Sequence, residues 1–400
     1  MSALPGKSIL IIVENLPVPF DKRVWNEATS LSDAGYRVSI ISPKGKGYER
    51  SYEEIGNICI YRHPLPMEAR GMAGYILEYS AAMFWELFLT VKIFCTKGFD
   101  VIHACNPPDT IFIIGLIFKC FGKKFVFDHH DINPELYVAK FGRYDFGYRI
   151  MMILERLTFM SADLSIATNQ SYKEIAVGRG HMRPERVVIV RSGPDLRKFQ
   201  PVAPDSGLKR GCKFMVAYLG VMGSQEGLNY LLDAVRFIVH DRKRTEILFV
   251  LIGSGPEAPL LKRYSKQLDI EQYVQFTGRI PDEELITYLS TADVCVNPDV
   301  ANDMNEKSTM NKVLEYMAMG KPIVQFDLRE GRFSAQDASL YAKKNDPVNF
   351  ALKILELLDD PQKRERMGRS GRERIENSLS WEYSEKELLS AYQSLFSGHV

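Results

Sequence analysis

Between Asn305 and Pro322 the chain sets hydroxyl, amide and charged side chains just ahead of an amphipathic run: Ser308, Thr309, Asn311, Lys312 and Glu315, closed by Gly320. Amides at a helix start lack intrahelical acceptors and carry the positive end of the dipole, so such a stretch binds anions. Ser308, Thr309 and Asn311 add donors and Lys312 adds charge, a set suited to a diphosphate. Glu315, one turn further on, can accept from both hydroxyls of a ribose. Ser, Thr and Asn are also ordinary helix caps, so a capped helix with solvated charges stands as the alternative.

Other polar clusters follow apolar runs. Phe127-Asp-His-His-Asp-Ile-Asn-Pro-Glu135 is one, and His103-Ala-Cys-Asn-Pro-Pro-Asp109, with Asn106, is another. Adjacent histidines point apart on regular backbone, so His129 and His130 are a poor chelating pair. Asp128 and His129 read as structural groups fixing a strand end. No D-x-D sequence occurs, which disfavours a metal-bound diphosphate, and the expectation is a site without metal. Gly220, Gly223 and Gly227, and Gly253 in Ile252-Gly-Ser-Gly-Pro-Glu257, let backbone come close to a ligand. Arg279 in Phe276-Thr-Gly-Arg-Ile-Pro281 is a candidate cation.

These clusters need strand ends to carry them. Ser8–Val13 is a continuous apolar run, as in parallel strands buried on both faces. A helix over Lys22–Ala34, stopped by Gly35, and a strand over Arg37–Ser42 follow. Further strands are expected near Val101–Ala104, Lys124–Asp128, Leu164–Thr168 and Val187–Val190. Pro201–Gly211 is rich in Pro, Asp, Ser and Gly and reads as a linker. Strands at Phe214–Leu219, Ile247–Ile252, Val274–Thr277, Val294–Val296 and Pro322–Phe326 then alternate with helices. Such alternation implies right-handed βαβ crossovers. The expected class is α/β: two Rossmann-like doubly wound domains, 1–200 and 201–378, facing a central interdomain cleft, with a helix over 379–400 packing back on the first. Open sheets of this kind bind ligands at the carboxyl ends of their strands.

Composition narrows the class. With 400 residues, 46% hydrophobic, 25% charged and a net charge of +1, the chain is too long for one core. It has no global pull toward nucleic acid. Its six cysteines form no C-x-x-C pair, and no secretory signal is visible, so a cytoplasmic protein is expected. The aromatic segment Tyr75–Cys95 is interrupted by Glu78, Glu86 and Lys92 and reads first as a helix covering a sheet. Peripheral contact with the inner face of a membrane is the second reading. The oligomeric state is left open.

Taken together, the motifs resemble those of the family-4 retaining glycosyltransferases of the GT-B fold, along nearly the whole chain. Glu315-Tyr-Met-Ala-Met-Gly-Lys-Pro-Ile-Val324 is similar to the second half of that family's motif of two glutamates separated by seven residues. The resemblance implies that Glu315 binds the nucleotide ribose. The first glutamate would fall at Lys307, with Glu306 one residue earlier, so either takes that place. The family's Arg and Lys after the first strand of the donor domain are replaced by Val221 or Met222 and by Glu226. Lys312, Arg279 and Lys307 are the substitutes expected to neutralise the diphosphate. Gly253 and Arg279 lie in segments similar to the family's next two strand-end loops. His130 would bond the donor sugar near its anomeric centre, placing His130, Lys312 and Glu306 as the catalytic set. Pro19–Ala28, with Phe20 and Arg23, resembles the acceptor-side entry, and Asn106 is grouped with it. The implied reaction is metal-independent transfer, with retention, of a hexosyl or N-acetylhexosaminyl group from a nucleotide-sugar, UDP favoured over GDP, to a glycan or lipid-linked acceptor. Polysaccharide or lipopolysaccharide assembly is the implied setting. No cofactor beyond the donor and no nucleic-acid partner is implied. A GT-B-fold nucleotide-sugar epimerase and a catalytically inactive nucleotide-sugar-binding protein are the alternatives.

Overall fold

A computed structural model describes residues 6–64 and 71–397. The chain divides into two compact units, Met1–Ser192 with Ser384–Val400, and Gly193–Tyr383. The expected boundary at 200/201 therefore falls at 192/193. The reason is that the linker-like stretch is tied to the second unit: Val202 N–H donates to Ser290 Oγ (3.0 Å) and Asp205 N–H to Thr291 Oγ1 (2.9 Å).

The first unit is built on eight strands: β1 Ser8–Ile12, β2 Arg37–Pro43, β3 Tyr52–Ile55, β4 Ile58–His63, β5 Val101–Cys105, β6 Lys124–His129, β7 Leu164–Ala167 and β8 Val187–Ile189. Their order is β3-β4-β2-β1-β5-β6-β7-β8. All neighbours are parallel except the β3–β4 hairpin at one edge. That hairpin has no counterpart in the expected strands, because Tyr52-Glu-Glu-Ile lacks an apolar run; only the tight Gly56-Asn57 connection marks it. Strands β1 and β5 are buried along their whole length, as parallel strands covered on both faces must be. The chain reverses direction across the sheet between β1 and β5. The helix from Trp381 ends in this unit: Tyr392 is fully buried, and its hydroxyl lies 2.7 Å from His103 Nδ1 on β5.

The second unit has six parallel strands: β9 Phe214–Leu219, β10 Ile247–Ile252, β11 Val274–Gly278, β12 Val294–Asn297, β13 Ile323–Phe326 and β14 Ser339–Ala342, in the order β11-β10-β9-β12-β13-β14. Alternate residues of β9 and β10 feed two separate cores. Phe214, Val216, Tyr218, Phe249 and Leu251 join one, and Met215, Ala217, Leu248 and Val250 the other, which is the period-two division of a sheet covered on both faces. The reversal of strand order lies between β9 and β12, so the loops leaving these two strands flank the ligand crevice such sheets use.

Candidate functional site

In the second unit, the loops after β9 and β12 and the helix Asn311–Ala318 meet at that reversal. Tyr316 fastens the helix there: its hydroxyl accepts from Leu219 N–H (2.7 Å) and donates to Val296 C=O (3.3 Å). Asp303–Lys307 also forms a short helix, which Asn302 caps by accepting from Asn305 N–H (2.8 Å). The chain breaks at Ser308, whose Oγ turns back to Met304 C=O (2.9 Å). The helix Asn311–Ala318 then starts at Met310 with no side-chain cap, so the capped-helix alternative is not what forms. Its first amides keep the anion-binding character of an uncapped start. Asn311 is exposed beside them, and Thr309 and Glu315 are half-buried.

Lys312 is not presented as an exposed cation. It is buried, paired with Glu226 and lying 3.0 Å from Asp299, and its ammonium sits 4.9 Å from the centre of the Tyr218 ring. Burial alone would pull its pKa down, but the two carboxylates lift it above its ordinary value. Burial raises the Asp299 carboxyl to about 7, against the pull of Lys312. Any charge Lys312 offers an anion is therefore net of two acids. This corrects the expectation that Lys312 simply replaces the missing Arg and Lys. From its helix, Lys312 instead ties the β9 loop, through Glu226, to the β12 loop, through Asp299. Asp299 was not among the candidates, although it follows an apolar strand just as they do.

The glycines were expected to admit a ligand, and they first admit each other's loops. A Cβ on Gly253, at φ +127°, would lie 2.0 Å from Gly220 C=O. One on Gly227, at φ +62°, would lie 2.0 Å from Pro298 C=O. Gly220 N–H donates to Ile252 C=O and Met222 N–H to Ser254 C=O, both at 3.0 Å. A Cβ on Gly223 would press only on the Gln225 side chain. Arg279 is exposed just after β11. Glu306 accepts from Arg329 N–H (2.9 Å) and pairs with Lys344, while Lys307 reaches Asp303 (2.7 Å). These side chains of the short helix thus turn to Arg329, Lys344 and Asp303.

In the first unit, the loops after β1, β5 and β6 converge on Asp128. The Arg23 side chain is only 8% exposed and spends its donors inside the protein. It reaches Asp128 Oδ1 (2.8 Å), Glu27 (3.0 Å), Val190 C=O (2.8 Å) and Ser192 Oγ (3.1 Å), with its Nε between Asp128 Oδ2 and His130. The donors of Arg23, expected on the acceptor side, are thus engaged within the first unit. Asn106 is corrected in the same way. Its Oδ1 accepts from His130 N–H (2.7 Å) and Asp131 N–H (3.1 Å), and its Nδ2 donates to Asp109 (2.8 Å) and Asp131 C=O (2.7 Å), so its bonding capacity goes into shaping the His130 loop. Phe20 stays half-buried, its ring 6.4 Å from that of Tyr48.

Asp128 does more than close a strand. Burial works against its charge, yet Arg23 and His130 hold its pKa well below the ordinary value. It holds His130 by a close contact at Nε2, which also lies 3.0 Å from Arg23 Nε, so the ring is fixed at that nitrogen and Nδ1 is the remaining one. His129 is structural: it packs against Phe127, Phe159 and Tyr172, and burial lowers its pKa to about 3, so it is neutral. Among the described residues, two groups have the spacing of metal ligands, His103 with Cys105 and Asp128, and Glu27 with Asp128 and His130. The Arg23 guanidinium already supplies the cation between Asp128 and Glu27, so these acids are compensated from within the protein.

The sequence pattern of "Glycosyltransferase Family 4" matches residues 21–198, and that of "Glycosyl transferases group 1" matches 213–360. A GDP-mannose-dependent monoacylated α-(1-6)-phosphatidylinositol monomannoside mannosyltransferase of Corynebacterium glutamicum is 26% identical over 213 residues, 51% of this chain. The match spans 55% of that relative's own length. Among solved structures, sucrose-phosphate synthase of Thermosynechococcus elongatus superposes with a TM-score of 0.79 at 18% identity, covering 98% of this chain and all of the other. Anabaena HepE in complex with UDP and glucose gives 0.74 at 15% identity, covering 96% and 99%. Identities this low speak for the fold alone. With one pattern over the first half, the other over the second and the fold matched along the chain, this protein belongs to the family-4 glycosyltransferases and has their GT-B fold.

Proposed function

We propose that this glycosyltransferase takes its sugar from a nucleoside-diphosphate donor, UDP-linked in preference to GDP-linked, bound at the strand-order reversal of the second unit. The observation that carries this is the uncapped start of Asn311–Ala318 at the carboxyl ends of β9 and β12, with Glu315 one turn inside. The N–H groups at that start would hold the diphosphate, with Thr309, Asn311 and Arg279 as further donors; Ser308 could join them only by giving up its bond to Met304 C=O. Glu315 would accept from the ribose, and Glu306 or Lys307 would read the sugar.

Departure of the nucleotide leaves negative charge on the diphosphate, and fixed N–H dipoles stabilise it without reorganising. Within the first unit, His130, held by Asp128 and with its loop held by Asn106, would be the group that bonds a sugar. Transfer of a hexosyl or N-acetylhexosaminyl group with retention and without metal, in polysaccharide or lipopolysaccharide assembly, is the fuller reading. A glycan or lipid-linked molecule would be the acceptor, handled at the cytoplasmic side. That HepE holds UDP and glucose on the same fold supports the choice of donor.

A thermal-shift screen of UDP- and GDP-sugars tests this, because a ligand bound only by the folded state raises the melting temperature. A UDP-sugar is expected to give the largest shift. Glu315→Ala should weaken its binding about tenfold or more, as loss of a charged hydrogen-bond acceptor does. Equal binding by wild type and variant would remove the ribose assignment. Product formed without an acceptor would favour an epimerase, and tight binding with no transfer would favour an inactive binding protein.

A further inference from the structure

Three successive crossovers of the first unit, β4 to β5, β5 to β6 and β6 to β7, advance in one direction along the sheet. Right-handed connections therefore place their helices on one face. These helices are Gly71–Thr96, Phe112–Lys119, and the pair Asn133–Phe141 and Phe146–Ser161. Contacts agree: the Phe94 and Phe118 rings are 5.2 Å apart, and one cavity of about 520 Å³ is lined by Met83, Ile113, Leu136, Phe141, Ile150 and Leu154.

The outer surface of this layer is inverted relative to an ordinary protein surface. Phe84, Phe88 and Val91 form an outward stripe at helical spacing, as do Ile113, Leu116, Ile117 and Phe121, and then Phe146, Ile150, Ile153, Leu157 and Met160. Phe84 is 65% exposed, Phe146 76% and Met160 65%. A surface helix normally turns its polar residues outward, and contiguous apolar surface on this scale marks an interaction site. The charges settle its kind. Among the described residues from 78 to 163, every exposed charged side chain is a cation, including Lys92, Lys124, Lys140, Arg143, Arg149 and Arg156. The acids of that stretch are withdrawn: Glu86, Asp109, Asp128, Glu135 and Glu155 are buried, and the others are half-buried.

We infer that this helical face docks on an anionic lipid bilayer, its aromatic and aliphatic side chains entering the headgroup boundary and its cations meeting lipid phosphates. Apolar insertion and basic attraction to anionic lipid are the two additive terms of interfacial binding. A protein partner matching the apolar stripes alone would leave the uniform positive charge unexplained. The inference uses no part of the donor-site reading, and its test needs neither donor nor acceptor.

The test is flotation of the full chain with vesicles of phosphatidylcholine alone, or with roughly a third phosphatidylglycerol. Binding is expected to the anionic vesicles, weakening as salt is raised. The triple variant Lys140→Glu, Arg149→Glu, Arg156→Glu should lower the partition coefficient on the order of a hundredfold. Phe84→Ser with Phe146→Ser and Ile153→Ser should also lower it, with the salt dependence kept. These side chains are exposed, so both variants should melt as wild type does. Failure to float with anionic vesicles, or equal flotation of the charge-reversed chain, would overturn the inference. So would a dimer in light scattering that the Phe84→Ser set dissolves, since the face would then belong to a second copy.

Discussion

The two candidate sites rest on buried charges that compensate one another. Lys312 is held by Glu226 and Asp299, and Asp128 by Arg23 and His130. A buried pair adds little net stability, but removing one partner strands the other in low dielectric. Lys312→Ala is therefore expected to destabilise the second unit by about 3–5 kcal/mol, apart from any effect on donor binding. Adding Asp299→Asn should recover more than about 1 kcal/mol, a coupling typical of groups in direct contact. Urea unfolding of the single and double variants measures this, and additive losses would mean the pair is not coupled. A loss of turnover in Lys312→Ala has to be read against that loss of fold.

At the scale of elements, the helix Gly71–Thr96 carries an acid inside an apolar layer. Glu86 is fully buried, and burial, with the charge of Glu14, raises its carboxyl to about 8 from an ordinary 4.5. The folded state thus keeps a proton that the unfolded chain releases. Its contribution is complete below about pH 4.5 and is lost as pH rises toward 8, at up to about 1.4 kcal/mol per pH unit. Glu86→Gln, which cannot ionise, should match wild type near pH 4.5 and become progressively more stable than it up to pH 8. Urea midpoints of the two proteins across that range check this, and a constant difference would mean Glu86 does not carry a raised pKa. The same helix explains why the membrane question was hard to read in sequence. No helix among the described residues is long and apolar enough to cross a membrane. Its charged residues, which argued against membrane contact, separate in space: Glu86 turns inward and Lys92 outward.

For the whole molecule, the last segment belongs to the unit that begins the chain. Leu388, Tyr392 and Leu395 are buried, and Tyr392 stacks on His103 with ring centres 6.2 Å apart. Deleting residues from 384 onward should destabilise the first unit by at least about 3–5 kcal/mol, the cost of emptying such a core position. Limited proteolysis would read this as new cuts before residue 192 with the second unit intact; cuts elsewhere would contradict it.

Sequence alone determined the alternation of apolar runs, the α/β class, the doubled architecture and the motif at Glu315–Val324, because periodicity and turn chemistry are local properties of the chain. It placed His130, Asp128 and the Asn311–Glu315 helix start at strand ends for the same reason. Only the tertiary structure decided what those residues meet. Whether Arg23 and Asn106 face a ligand or shape a loop depends on Val190, Asp128 and Asp131, which are distant in sequence or folded back. Whether Lys312 is an open cation depends on Glu226, eighty-six positions away. That three helices turn cations and aromatics outward while hiding their acids is likewise a property of packing, since burial is assigned by neighbours and not by residue type.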